Sequence, residues 1–285
     1  MALLAVFLYG ISQVIGKFAI RTLTPPNMVT INFLFTMPVY IALLLGSFLF
    51  IELGDVRLSY VIMGLLAAVF GRAGYYTYLE ALKSGPVMVV GSITAAYPAI
   101  ITVLAITVLG ETITATQGVG ITVILLGMIG LSFSRGSTGS ISEFTRASLI
   151  FSIITLLLWG AWGIFAKVAL TELPVLFYLG LYTVVLPPLY LVYIRQKDMP
   201  MKSTIPKWSF PVMISIVAVA IGQIGMVADT TAVSLGSAAV VFPLIASYPI
   251  VMILLAFIFL KERLSLRDEM LVLAVVLGVV LISTV

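Results

Sequence analysis

Ten apolar runs, at 2–21, 28–51, 58–81, 86–109, 113–133, 147–170, 175–194, 209–232, 236–260 and 266–284, divide this chain almost from end to end. A hydrocarbon core about 30 Å thick takes roughly 20 apolar residues per crossing helix, so every run is long enough to span. The charged residues gather in the intervals between runs. By count, 62% of the chain is hydrophobic and 9% charged, where a soluble domain carries about 25% charged residues. Inside lipid the backbone polar groups must be satisfied within each segment. The runs therefore read as helices of an all-α integral membrane protein with ten transmembrane helices.

Cys and His are both absent. That excludes a thiol nucleophile, a disulfide and a His-ligated zinc, and the expectation is no metal, no cofactor and no catalytic residue. Neither H-E-x-x-H nor G-x-S-x-G occurs, nor a P-loop. An intramembrane enzyme is accordingly the remote alternative. A net charge of +4 is small and points to no nucleic-acid partner. The first run lacks the basic n-region and small-residue cleavage site of a signal peptide.

The chain is written twice. An offset of 150 pairs LYGISQVIGKFAI (8–20) with LWGAWGIFAKVAL (158–170), bringing Gly10 onto Gly160 and Lys17 onto Lys167. An offset of 151 pairs AVFGRAG (68–74) with VAIGQIG (219–225), and Gly127 with Gly278. Over 81–114 against 232–265 it gives 11 identities in 34 positions, among them Gly85 with Gly236, Tyr97 with Tyr248, Pro98 with Pro249 and Glu111 with Glu262. Leu, Val and Ala match often by chance in such sequence, whereas Gly, Pro, Tyr, Lys and Glu on one offset do not. The reading is a first five-helix repeat over 1–133, a Ser/Gly-rich linker over 134–148 and a second repeat over 149–285. Because the first run is the counterpart of the sixth, it is expected to stay in the mature protein.

Five is odd, so the second repeat enters the membrane from the opposite side. Inverted repeats of this kind mark transporters that hold substrate near mid-bilayer at the repeat interface. Charge agrees with the inversion. Odd-numbered loops carry Arg21, Lys83, Arg135, Arg146, Arg195, Lys197, Lys202, Lys207, Lys261, Arg263 and Arg267, and even-numbered loops only Arg57. Excess Lys/Arg marks the cytoplasmic side, which puts the odd loops inside a plasma membrane and both termini outside.

The L-W-G…K pattern of runs one and six, and a Gly-Glu-like element after the fourth helix of each repeat, resemble the EamA-type branch of the drug/metabolite transporter superfamily. The resemblance spans nearly the whole chain. It implies that helices 1–4 and 6–9 surround the path and that helices 5 and 10 lie outside it. Relatives move amino acids, sugars, nucleotide sugars, choline-like cations and drugs, with export the common direction. Many relatives place their termini in the cytoplasm, opposite to the charge pattern here.

Among single residues Arg72 is the most informative. It lies about 3 Å past the midplane of its run on a 1.5 Å rise, and Arg at that depth costs at least about 2.5–3.5 kcal/mol unless it meets a partner or a cavity. The candidate role is to anchor a substrate carboxylate or phosphate, which guanidinium binds bidentately; the rival is a structural ion pair. Tyr76, Tyr97, Trp159 and Tyr248 offer area with a polar handle, and Gln13, Asn32 and Gln223 are polar within apolar runs, so all join the candidate pathway. Packing or interhelical bonding is their alternative role. Asp229 and Glu80 are candidates for proton coupling, about 12 and 15 Å from the midplane, Glu80 the more solvated. Lys17 and Lys167 suit snorkelling at helix ends, and Ala67/Gly71 with Ala218/Gly222 suit close-packed seams. Pro98 and Pro249 remove a backbone donor at matching depth, which predicts paired hinges in helices four and nine.

The functional expectation is a secondary transporter of a small metabolite, working by alternating access as a monomer or homodimer in the bilayer. An amino acid or related carboxylate-bearing solute is the first substrate class. The runner-up exports organic cations or drugs through Asp229 or Glu80, with Arg72 structural.

Overall fold

The computed structural model describes residues 1–20, 22–50, 56–83, 87–94, 96–132, 145–197, 206–251, 254–255 and 266–283. Its elements are α1 (Ala2–Ile20), α2 (Pro25–Phe50), α3 (Leu58–Lys83), α4 (Val87–Thr94), α5 (Tyr97–Thr107), α6 (Ala115–Ser132), α7 (Arg146–Ala169), α8 (Val175–Gly180), α9 (Tyr182–Gln196), α10 (Phe210–Leu235), α11 (Ala238–Ala246) and α12 (Leu266–Ser283). No strand occurs among the described residues. Among the described residues, five segments are long and apolar enough to cross a membrane: α2, α3, α7, α8 with α9, and α10. The other five apolar runs carry shorter helices. Glu262, the Lys17 side chain and most of the 134–148 linker lie outside the described residues.

Large apolar side chains such as Leu126, Val184, Ile224 and Leu273 face outward, as lipid-facing residues do. Inward, the two most extensive helix pairs are α3 on α7 and α1 on α10. Small residues let these backbones close up. A methyl built on Gly71 or Gly74 would lie 2.8 and 2.5 Å from the indoles of Trp162 and Trp159. On the other pair, Gly222 and Gly225 face Ser12 and Tyr9. The remaining contacts set α2 on α8 and α9, α5 on α11, and α6 on α12. The largest buried cluster gathers towards one end of the bundle, around Ala105, Ala169, Val233 and Phe242.

Pro98 and Pro249 do not bend continuous helices as expected. Helix α4 stops at Thr94, and Pro98 sits in the first turn of α5, where its missing N–H is not needed. Likewise α11 ends at Ala246, and Pro249 opens a new turn at 249–251. The carbonyl of Ile245 is not left unpaired there, because the Tyr248 N–H donates to it at 3.1 Å. The sequence doubles its breaks: Tyr97 begins α5, and Tyr248 lies in the turn just before the 249–251 segment.

Candidate functional site

The polar side chains inside the bundle form a column. At its middle, Arg72 of α3 donates to Asn32 Oδ1 of α2 at 2.7 Å. Its guanidinium lies 5.9 Å from the Tyr75 ring centroid and 6.0 Å from that of Tyr182, within cation–π range. The Tyr40 hydroxyl, on a fully buried ring, faces both Arg72 and Gln223. No carboxylate forms an ion pair with Arg72 among the described residues. The Gln223 Oε1 is buried and receives no donor. Arg72, Asn32 and Gln223 are thus brought together, and Tyr40 and Tyr182 complete the group.

Tyr182 accepts from Trp162 Nε1 at 3.2 Å and packs 5.1 Å from Tyr40. Tyr97 stands edge-on to Trp159 at 5.7 Å and beside Trp162 at 6.4 Å. These rings lead to Asp229 of α10, only 3% exposed. Its Oδ2 accepts from the Tyr9 hydroxyl at 3.0 Å, and Tyr9 meets Tyr248 edge-on at 6.2 Å. Its Oδ1 is buried with no partner.

In the opposite direction Tyr76 packs 4.8 Å from Tyr193. Tyr193 donates to Glu80 Oε1 at 3.0 Å, and Lys197 pairs with the same oxygen at 2.6 Å. Glu80 is therefore not on a solvated face: its side chain is 16% exposed and held as a clasp between α3 and the end of α9. Gln13 is exposed on α1, and no hydrogen bond joins it to the Arg72 group among the described residues.

Two charges near helix ends act on backbone rather than on lipid headgroups. Lys167 does not merely snorkel: its Nζ donates to the carbonyls of Val233 and Gly236 at 3.1 and 2.6 Å, closing the end of α10. Gly110, at φ 69°, takes the left-handed conformation that ends α5 without a Cβ clash. The Glu111 N–H then donates back to the Ala105 carbonyl at 3.0 Å. That turn delivers the Glu111 carboxylate to the start of α11, where it accepts from Ser237 Oγ at 2.7 Å and from the Ala238 and Ala239 N–H groups at 2.9 Å. A carboxylate there satisfies orphan donors and complements the helix dipole.

Tyr9, Tyr40 and Tyr182 were not singled out by sequence, and Lys197 was read only as one of the odd-loop charges. Tyr9 had a signal, since it falls on Trp159 in the repeat register, and Tyr40 follows Asn32 by eight residues on one helix face.

The EamA-like transporter family profile matches residues 1–133 and again 146–284. A solved crystal structure superposes with a TM-score of 0.77 at 17% identity, covering 99% of this chain and 94% of its own. At that identity the likeness shows the fold. No curated protein matches the sequence. The chain belongs to the EamA-like transporter family, and so is a multi-pass membrane transporter of small solutes.

Proposed function

We propose that this EamA-like transporter exports a carboxylate-bearing or zwitterionic solute, amino acids first, by alternating access around Arg72. One observation carries the reading: a guanidinium in the middle of a membrane-crossing helix, ringed by Tyr40, Tyr75 and Tyr182, with a neutral Asn32 as its hydrogen-bonded partner and no carboxylate paired to it among the described residues. A charge at that depth is stable beside an anion or a watery cavity, and the substrate supplies the anion.

The architecture behind the proposal is ten transmembrane helices in two inverted repeats, 1–133 and 149–285, joined by 134–148. Helix pairing supports it. The first helix of each repeat packs on the third helix of the other, α1 on α10 and α7 on α3. Second, fourth and fifth helices meet their own counterparts: α2 with α8 and α9, α5 with α11, α6 with α12. A two-fold axis in the membrane plane generates that set of pairs, and inverted repeats rock about such an axis. The Lys/Arg excess places the Lys197 end in the cytoplasm and the Glu111 end outside.

The test is counterflow in proteoliposomes with labelled amino acids, sugars and organic cations, wild type beside Arg72→Gln. Losing a charge-assisted anchor of about 1.5–3 kcal/mol predicts a roughly 10–100-fold loss of carboxylate transport. Cation transport that Arg72→Gln leaves intact would sink the proposal in favour of an organic-cation exporter.

A further inference from the structure

We propose that Asp229 and Tyr9 form the proton-binding site that drives this transporter, with the exchangeable proton on the Asp229 carboxyl. The proposal rests on the transport reading above and adds to it the coupling ion and its seat.

The geometry separates the two carboxyl oxygens. Oδ2 is fixed by the Tyr9 hydroxyl at 3.0 Å, while Oδ1 is buried and has no partner. The groups facing the carboxyl are neutral phenols on three elements: Tyr9 of α1, Tyr97 of α5 and Tyr178 of α8. Tyr40 of α2 faces Tyr9 in turn. Helix α11 presents no titratable residue, and α10 has no other charge. The nearby cation of α7, Lys167, is engaged by the carbonyls of Val233 and Gly236. No ion pair to Asp229 exists among the described residues.

A buried ion without a counter-ion costs far more than a neutral hydroxyl without an acceptor. In the packed arrangement Asp229 is therefore the neutral acid, its carboxyl joined to the Tyr9 hydroxyl, which has the Met226 sulfur at 3.5 Å as a second acceptor. The site also lies on a seam that can part. Tyr9 packs against Gly225, and one turn along Ser12 faces Gly222 and donates to the Ala218 carbonyl at 2.8 Å. Separating α1 from α10 removes the Tyr9 hydroxyl from Oδ2 and admits water to Oδ1. The step is a single proton transfer between water and the Asp229 carboxyl, leaving a carboxylate stable only while hydrated. Repacking α1 demands reprotonation, so closure and proton uptake are one event.

Full-length protein is reconstituted with a pool of the twenty labelled amino acids and a one-unit pH gradient. One proton per cycle gives about tenfold accumulation. Asp229→Asn is expected to abolish accumulation while counterflow at equal pH persists. Infrared difference spectra of the protein without solute read the site directly. A carboxylic-acid C=O band at neutral pH is expected in wild type, absent in Asp229→Asn and displaced in Tyr9→Phe. Equal gradient-driven accumulation in Asp229→Asn, or no acid band assignable to Asp229, overturns the proposal. So does loss of cation counterflow at equal pH in Asp229→Asn, which makes the carboxylate a subsite for substrate ammonium. Should no amino acid move in wild type, the carboxylate-transport reading fails, and the infrared band still decides the proton site.

Discussion

Replacing Glu111 by Gln tests whether a side chain from one half of the chain holds the start of α11. In the wild type one oxygen accepts from the Ala238 N–H, and the other accepts from Ser237 Oγ and the Ala239 N–H. Gln keeps a single carbonyl oxygen. Placed on Ser237 and Ala239, it turns an amide N–H₂ towards the Ala238 N–H. Ala238 is fully buried, so that donor is left unsatisfied at about 1–3 kcal/mol, and the favourable charge–dipole interaction of about 0.3–1 kcal/mol is lost as well. At about 2–4 °C per kcal/mol for chains of roughly this size, a mid-range loss of about 2 kcal/mol lowers Tm by about 4–8 °C. Thermal unfolding in detergent, followed by size-exclusion chromatography of the heated protein, measures it. Glu172→Gln is the control, because the Arg57–Glu172 pair has side chains 62% and 38% exposed and such pairs contribute about 0–1 kcal/mol. A Glu111→Gln variant that melts within about 1 °C of wild type, or no lower than Glu172→Gln, refutes the capping argument.

Lys167→Met removes donors from the Val233 and Gly236 carbonyls; since Glu111 holds the same turn, the double variant should depart from additivity by about 0.5–3 kcal/mol in a double-mutant cycle. Gly120→Ala drives a methyl to 2.8 Å from the Gly278 carbonyl oxygen; backbone cannot swing aside, so about 1–3 kcal/mol of stability is lost on melting, with substrate preference in counterflow unchanged. Tyr182→Phe leaves the Trp162 indole N–H without its acceptor, a loss of about 1–3 kcal/mol that thermal unfolding and a shift in tryptophan emission report together.

The helical runs were legible because lipid imposes a length and a composition on a crossing helix, and among the described residues five segments are long and apolar enough to cross. The internal breaks were not, because apolarity continues across them: nothing in hydropathy marks Leu181, where α8 passes into α9, or the stop at Thr94. Arg72 with Asn32 was legible as two polar residues among apolar ones. Tyr40 and Tyr182 were not, since a membrane tyrosine reads equally as an interfacial belt. Glu80 was misread because depth along one helix says nothing of Lys197, 117 positions later, which tertiary packing brings to it. The Gly110–Glu111 step stood out as a family mark, but its physical task appears only once α5 ends beside the start of α11.

The register equates the two major seams, and side-chain volume sets them apart. Tyr9 and Ser12 on α1 correspond to Trp159 and Trp162 on α7, and Gly225 and Gly222 on α10 correspond to Gly74 and Gly71 on α3. At about 25 cal/mol per Å², an aromatic burying roughly 150–250 Å² contributes about 4–6 kcal/mol, so the α3–α7 seam gains one more such contribution where α1 offers Ser12. It is also tied by the Thr77 and Thr155 hydroxyls at 2.8 Å and by Ser148 Oγ donating to the Ala81 carbonyl at 3.0 Å. Helix α1 on α10, tied by Ser12 to the Ala218 carbonyl and by Tyr9 to Asp229, is the less aromatic of the two contacts that the register equates. Under the alternating access proposed above, the bundle yields first where packing is thinnest, and that is the seam closing over Asp229. The proposed repeats would supply two ways to open, and the asymmetry of four side chains assigns the easier one to the helix pair that carries a buried acid.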